Sequence, residues 1–390
     1  MTSLRFIGAL ACAGLFGMSA LAAQAEPLRP ASDDEIVETL PTLGGFAREQ
    51  REMRRKLAQQ PRDAATALAL SRSTLARARI EGDARLAGQA LGVLGAWEGD
   101  ADAPVEIRLQ RATLRQHLHE FDAAVQELQA VLRTAPRHPQ ALLTLATIHR
   151  VQGRYAESDA ACEQLNAAGQ PLYARACLAE NQALRGDIAA ARSEFEALLK
   201  AQPSNAGWTS WIRTSLGELE QRAGRTDAAV AQLRAAQQAD ADPYSRMALA
   251  DVLIEAERWP EAQALLVDAG DSEAALLRRA IVERALRSDA ASKLQHALAA
   301  RYTQAALRPE AAAVHARERA RFALEVEGEP ERAVALARAN LQTQREAIDL
   351  VVMHRAARAA GDAAAQAEVT ALAERIGLHD ARMGAKGSTS

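Results

Sequence analysis

Two histidines are the first residues whose type and spacing could do chemistry. His117 and His119 stand two positions apart. On a helix this spacing points the two rings to different sides, whereas a zinc-binding histidine pair needs a spacing of four residues on one face. We therefore expect no metal site and no cofactor.

Patterns typical of catalysis are missing from the sequence. It contains neither a glycine-rich phosphate loop nor a hydrolase nucleophile flanked by glycines. The absence of these patterns from the sequence predicts a protein that is not an enzyme and has no catalytic residues. The alternative is an enzyme subunit whose catalytic residues follow no recognised pattern.

The N-terminus is typical of an export signal. Arg5 precedes an apolar stretch, Phe6 to Leu21, and the small-residue pattern Ala23–Ala25 follows. Residues 1–25 are thus a predicted signal peptide, and cleavage predicts a periplasmic protein without a membrane span. Two alternatives are an uncleaved membrane anchor and a lipoprotein modified at Cys12.

Composition favours an all-helical chain that does not bind nucleic acid. Without residues 1–25, the formal charge changes from -3 to -4, because Arg5 is lost. A nucleic-acid partner would favour a strongly basic face. Aromatic residues make up 4% of the chain, which lacks the aromatic and β-branched runs that strands prefer.

The helical pattern breaks and restarts at a regular interval. The breaks fall at Gly82, His119, Gly153, Gly186, Gly224, Glu257, a doubtful Ser288, Gly328 and Gly361. Their mean spacing is about 35 residues, close to known helical-repeat periods. Five positions after most breaks stands a small residue, which predicts a close crossing of two helices: Ala87, Ala124, Ser158, Ala191, Ala229, Ala262 and Ala333.

Three segments resemble the turn and second helix of the tetratricopeptide repeat (TPR): QGRYAESDAACEQL from Gln152, RGDIAAARSEFEALLKAQP from Arg185 and AGRTDAAVAQLRAA from Ala223. The resemblance is strong from about Val105 to Ala269 and weaker towards both ends. It implies an all-α, right-handed α-solenoid of about eight helix hairpins with a concave inner surface. Another helical solenoid or a bundle is the competing interpretation.

The pattern divides the chain into five parts. After the signal peptide we expect a helical cap segment at 26–60, which includes an amphipathic helix from Phe46 to Gln59. TPR-like repeats at 61–270, strong from 105, precede degenerate repeats at 271–380, where Arg321 and His354 occupy positions expected to be small. A disordered tail is expected at 381–390.

Cys162 and Cys177 are the two cysteines that follow the signal peptide. Export favours a disulfide between them, and the repeat pattern places Cys162 on a second helix beside the first helix that carries Cys177. A bond also needs Cα atoms within about 7 Å. Two interpretations stay open, a disulfide or two separate small core residues.

Two columns of residues recur on the first helices, which the resemblance assigns to the concave surface. Thirteen positions before three successive breaks stand Tyr173, Trp211 and Tyr244, and six positions before them stand Glu180, Glu218 and Asp251. Stacked acids repel each other unless a positive group neutralises their charge, so the columns form a candidate groove for a basic segment. The alternative is that the aromatics pack, and that the acids are solvated or pair with Arg175, Arg213 and Arg246.

The sequence therefore predicts a non-catalytic periplasmic scaffold or adaptor that binds a protein or peptide in its groove. Its role would lie in assembly, transport or maturation in the cell envelope. A structural, self-associating array is a further alternative, and the oligomeric state is not predicted.

Overall fold

A computed structural model describes residues 45–202, 204–307 and 315–384 of the chain. The chain divides into two compact units, 1–49 and 50–390. Of the first unit only residues 45–49 are described, and they begin helix α1 (Gly45–Gln59). The predicted signal peptide and the part of the predicted cap segment before residue 45 lie outside the described residues.

Helical hairpins build the second unit, and its described residues contain no strand. The expected array of helix pairs is confirmed, and the described residues form nine pairs where about eight were predicted. They are α2 (Ala64–Glu81) with α3 (Ala84–Gly92), α4 (Val105–His117) with α5 (Phe121–Thr134), α6 (Pro139–Val151) with α7 (Tyr155–Ala167), α8 (Pro171–Leu184) with α9 (Ile188–Ala201), α10 (Ala206–Arg222) with α11 (Thr226–Ala239), α12 (Pro243–Glu255) with α13 (Trp259–Leu266), α14 (Glu273–Ala285) with α15 (Ala290–Ala306), α16 (Ala316–Arg321) with α17 (Pro330–Asn340), and α18 (Ala347–Ala359) with α19 (Ala363–Ile376).

A residue in the left-handed region ends the first helix of every hairpin. Eight of these residues are the predicted turn positions, from Gly82 to Gly361. At the doubtful ninth position the turn residue is Arg287, one position before Ser288. This one-residue shift arises from the end of the first helix. The Ser288 amide donates to the Glu283 carbonyl, 3.0 Å away, in the hydrogen bond that closes a helix C-terminus.

In seven of the nine described hairpins, a predicted small residue lies where the two helices cross. All seven, including Ala124, Ser158 and Ala191, are fully buried. In the fifth hairpin the first helix also approaches closely, since a Cβ atom on Gly217 would lie 2.5 Å from Cγ of Leu233. Side-chain size at these positions therefore sets how closely the paired helices pack.

The first helices of neighbouring hairpins form one layer of the second unit. Direct contacts join α2 to α4, α4 to α6, α6 to α8, α8 to α10, α10 to α12 and α12 to α14. No pair of second helices makes comparable contact in the described ranges. The first helices therefore lie on the inner side of the curved stack, as expected.

The eighth hairpin departs from the regular pattern at Arg321. A π-helical turn, Phe322–Glu327, follows this residue and completes the first helix. Arg321 is buried, and its guanidinium contacts Asp251 at 2.8 Å and Glu325 at 3.1 Å. A large charged residue is thus accommodated at a position expected to be small, because two carboxylates from different hairpins neutralise it.

The C-terminal part of the second unit packs against the turns of the middle hairpins. The Arg345 amide donates to the Val151 carbonyl at 2.7 Å, and the His379 amide donates to the Leu184 carbonyl at 2.9 Å. Tyr155 and Leu184 share one hydrophobic core with the ninth hairpin. The stack of hairpins therefore closes on itself.

The end of the described chain is ordered by ion pairs. Ala381–Met383 form a short 3₁₀ turn, although a disordered tail was expected from residue 381. Arg382 contacts Asp380 at 2.6 Å and Glu255 of α12 at 3.1 Å. Residues 385–390 lie outside the described part of the chain. None of the described helices is long and apolar enough to span a membrane.

Candidate functional site

Three aromatic side chains follow one another on the inner face of α8, α10 and α12. Tyr173 is 38% exposed and Tyr244 is 63% exposed, while Trp211 is partly buried between them. The rings of Tyr173 and Trp211 stack with their centroids 5.9 Å apart. Two members of the predicted aromatic column, Tyr173 and Trp211, are thus in direct ring contact.

Trp208 completes this cluster, and the column count overlooked it. Its ring meets those of Tyr173 and Trp211 edge-on, with centroids 5.3 and 5.4 Å away. Trp208 is buried and donates from Nε1 to the Leu198 carbonyl at 3.0 Å. The signal in the sequence was its position one helical turn before Trp211, on the same face.

The aromatic and acidic columns are joined by a repeated hydrogen bond. Trp211 Nε1 donates to Glu180 at 3.1 Å, and the Tyr244 hydroxyl donates to Glu218 at 2.6 Å. In both cases an aromatic residue of one hairpin reaches the acid of the preceding hairpin. We call the six column residues the ladder: Tyr173, Trp211, Tyr244, Glu180, Glu218 and Asp251.

Arginines neutralise the acids at both ends of the ladder. Arg150 lies 2.5 Å from Glu180, and the Ser215 hydroxyl donates to the same carboxylate at 2.8 Å. Asp251 contacts Arg278 at 2.5 Å and Arg321 at 2.8 Å. Burial opposes ionisation of Asp251, but the two guanidinium groups outweigh it and lower the pKa of Asp251. Arginine side chains of the protein itself therefore neutralise two of the three acids, Glu180 and Asp251.

The arginines that neutralise the acids differ from those considered in the sequence. Arg175 pairs with Glu194 at 2.5 Å, Arg213 donates to Gln232, and Arg246 donates to the Asp268 carbonyl. The interpretation that these three pair with the acids was wrong. They lie five residues before the acids on the same helices and point to the second helices or to loops instead.

Glu218 is the acid of the ladder that has no arginine in hydrogen-bond contact among the described residues. Burial raises the pKa of Glu218, and the negative charges of Glu180 and Glu346 act in the same direction. The charge of Arg222 and the hydrogen bond from Tyr244 act against this rise. The Glu218 carboxylate in turn raises the pKa of the Tyr244 phenol well above its ordinary value. Glu218 is thus a carboxylate that lacks full compensation for its charge.

Cys162 on α7 and Cys177 on α8 form a disulfide with a Cα–Cα distance of 5.9 Å. Both side chains are at most 1% exposed. The bond joins the third and fourth hairpins directly beside the first helix that carries Glu180 and Tyr173. It therefore braces the hairpin interface at one end of the ladder.

Comparison with known proteins gives structural likenesses of low identity. The sequence matches no family model, and no curated protein is significantly similar to it. The human IFIT1 dimer with m7Gppp-AAAA aligns at 13% identity and a TM-score of 0.45, covering 84% of this chain and 76% of that chain. The IFIT1 dimer with PPP-AAAA aligns at 16% identity and a TM-score of 0.39, with coverages of 66% and 69%. The TPR domain of P58(IPK) aligns at 16% identity and a TM-score of 0.26, with coverages of 82% and 95%. These values carry no argument about what the present chain binds, and its TPR-like fold is established by its own helix pairs.

Proposed function

We propose that this protein is an exported, non-catalytic scaffold that binds a basic, extended segment of a partner protein along α8, α10 and α12. The observation that carries the proposal is the exposure of Tyr244, 63%, beside Glu218, whose charge is only partly compensated. An exposed aromatic ring next to a carboxylate suits a Lys or Arg side chain, which would gain a cation–π contact and an ion pair together.

The shape of the inner face favours an extended partner. Tyr173 and Tyr244 lie on first helices separated by α10, so one bound segment would have to cross three hairpins to contact both rings. Two exposed aromatics in register provide anchors of the kind that dominate binding energy at interfaces. Because Glu180 and Asp251 are already neutralised, Glu218 would supply the charge selectivity.

A binding role is also supported by the ion pairs of the acidic residues at the two ends of the ladder. The acids at the ends of the ladder are held in ion pairs that join neighbouring hairpins, such as Glu180 with Arg150. Groups held in this way are committed to contacts between hairpins and are not free for acid–base chemistry.

Export is supported by the N-terminal sequence and by the cysteine pair. The basic start, apolar stretch and small-residue pattern before Glu26 are those of a cleaved signal. A buried disulfide such as Cys162–Cys177 persists in an oxidising compartment. The periplasm meets both conditions, and a role in envelope assembly, transport or maturation would follow.

The proposal is tested by measuring peptide binding to the mature chain. An array of extended peptides would include basic sequences, acidic sequences and scrambled controls, with binding read by fluorescence of the labelled protein. We expect selective binding of basic peptides, reduced at least about tenfold in Tyr244→Ala and in Glu218→Gln, since an anchor and a charge-assisted contact are each typically worth more than 1 kcal/mol.

Two variants serve as matched controls. Ile80→Ala and Val267→Ala remove exposed apolar side chains elsewhere, 73% and 68% exposed respectively, and should leave binding unchanged. Circular dichroism would establish that all variants fold. Binding that lacks preference for basic peptides, or that survives both ladder substitutions, would refute the proposed groove.

A further inference from the structure

Helix α1 carries an arginine face that serves no purpose in packing. Arg51, Arg54 and Arg55 are all exposed. At 100° per residue they lie within an arc of about 100° on the helix. None of the three has an acidic partner within the described part of the chain. These three residues form the arginine face.

The opposite side of α1 attaches the helix to the first hairpin. Gln50 donates to the Ser73 hydroxyl at 3.0 Å, and Leu57 packs against the apolar core of that hairpin. Lys56 pairs with Asp63 at 2.6 Å. The arginine face therefore points away from the hairpin, and its guanidinium groups are free to meet another surface.

The segment that contains the arginine face is basic, in a chain whose formal net charge is -3. Residues 50–99 contain nine basic and five acidic side chains. Arg72 and Arg79, seven positions apart on α2, are also exposed and have no acidic partner among the described residues. Deeper in the stack, in contrast, arginines such as Arg321 lie against carboxylates.

The composition of this region points to a lipid surface rather than to a protein. No large apolar side chain between residues 50 and 79 is exposed, and Ile80 is the first that is. Protein interfaces need a core of apolar or aromatic anchors, which this face lacks. Anionic lipid headgroups require only positive charge at the surface, which clusters of Lys and Arg supply.

We propose that α1 lies against an anionic bilayer surface through Arg51, Arg54 and Arg55, and so tethers the scaffold reversibly to a membrane. Because the apolar side of α1 is occupied by the first hairpin, attachment is electrostatic and no side chain inserts into the hydrocarbon. This inference is independent of the ladder and of its partner.

Vesicle co-sedimentation of the mature chain tests the tether. The probes are vesicles of equal parts phosphatidylglycerol and phosphatidylcholine, and vesicles of phosphatidylcholine alone. We expect binding to the anionic vesicles only, and its loss when the salt concentration rises from about 0.05 to about 0.5 M, where the charges are screened. Binding to both vesicle types, or to neither, would overturn the proposal.

A charge-matched control separates the arginine face from net charge. The triple substitution Arg51→Glu, Arg54→Glu, Arg55→Glu should weaken binding at least about tenfold. The triple substitution Arg133→Glu, Arg137→Glu, Arg375→Glu changes the total charge equally, at exposed arginines on other helices and loops, and should leave most of the binding intact. Equal losses in the two variants would refute a specific role for α1.

The vesicle test has one competing outcome, in which the acidic sequence ahead of α1 rather than lipid binds the arginine face. Five acids, Glu26, Asp33, Asp34, Glu35 and Glu38, precede it in the mature sequence. The variant Asp33→Asn, Asp34→Asn, Glu35→Gln should bind anionic vesicles no more than severalfold better than the parent chain. If this variant binds and the parent does not, the arginine face belongs to the chain's own acidic segment and the membrane proposal fails.

Discussion

Tyr244 donates a 2.6 Å hydrogen bond to Glu218 of the preceding hairpin, as Trp211 does to Glu180 at 3.1 Å. Because each aromatic is oriented by an acid one hairpin away, its position depends on how neighbouring hairpins stack. The two contacts differ in one respect that matters for function. Glu180 is also held by Arg150, whereas no arginine in the described part of the chain makes hydrogen-bond contact with Glu218.

Replacement of Glu218 by Gln should stabilise the protein more at neutral than at acidic pH. Burial raises the pKa of Glu218 in the folded state. A raised pKa contributes stability that is present below the unfolded-state pKa and is lost as the pH rises through the folded-state pKa. The neutral amide avoids this loss. Urea unfolding at about pH 4 and about pH 7 would measure the difference in free energy of unfolding, which should shift in favour of Glu218→Gln as the pH rises.

Glu163→Gln is the control for this measurement. Glu163 is an exposed residue on α7 that makes no ion pair in the described structure. Its substitution should show a smaller pH-dependent difference from the parent than Glu218→Gln. A constant or decreasing advantage of Glu218→Gln between the two pH values would contradict the assigned environment of Glu218.

Gly186→Ala should destabilise the protein more than Gly361→Ala. Both glycines end a first helix with positive φ, 91° and 65°. A Cβ at position 186 would lie 2.9 Å from Cγ of His379, whereas no atom of the described residues lies within 4 Å of a Cβ at position 361. We expect about 1–2 kcal/mol for the left-handed conformation at Gly361, and about 1–3 kcal/mol more at Gly186 for the clash.

Combining Gly186→Ala with His379→Ala identifies the source of the extra cost. Removing the imidazole should lower the cost of the Gly186 substitution towards that of Gly361→Ala, with the 3.1 Å contact to Cβ of residue 379 left in place. Urea unfolding in the His379→Ala background measures this cost. An unchanged cost in that background would show that His379 does not pack on the fourth turn.

Loss of the disulfide should lower the free energy of unfolding by about 3 kcal/mol, the value expected for a loop of this length. The bonded cysteines are 15 residues apart in sequence. The double substitution Cys162→Ser, Cys177→Ser removes the bond at a buried hairpin interface. Dithiothreitol should destabilise the parent chain and leave the double variant unaffected. Equal sensitivity of both proteins to the reductant would argue against the bond.

Amide hydrogen exchange should detect the closure of the hairpin stack. The amides of Arg345 and His379 donate to carbonyls of the middle hairpins, so peptides covering 341–346 and 377–383 should exchange slowly. The loop at 267–271, whose Val267 is 68% exposed, should exchange quickly and serves as the internal reference. Exchange of the C-terminal peptides at the rate of this loop would mean that the closure is open in solution.

Much of the repeat pattern could be predicted because hairpin turns are local. Gly153 and Gly224 adopt the left-handed conformation that glycine allows, and Ala124 and Ala191 fill crossings that admit only small side chains. The position of Arg287 was missed by one residue. Residue 287 is not a glycine, and no alanine stands five positions after it. The turn position there is fixed only by the hydrogen bonds that end the first helix.

The candidate site was predicted in part. Counting from the turns found Tyr244 and Glu218, because repeated hairpins place equivalent residues on equivalent faces. Their hydrogen bond did not follow from counting, since it depends on the rotation between α10 and α12. The partners of Asp251 were equally inaccessible, because Arg321 is 70 residues away in sequence.

The sequence by itself determined where eight of the nine described hairpins turn, and which face of most of them is buried, since those properties arise within about 35 residues of chain. Only the tertiary structure decided which charges meet and that the stack closes. Gln344 lies 3.4 Å from the His119 ring, 225 residues earlier in the chain. Such contacts depend on the rotation between each hairpin and the next, added up over many hairpins. No local pattern in the sequence specifies this total rotation.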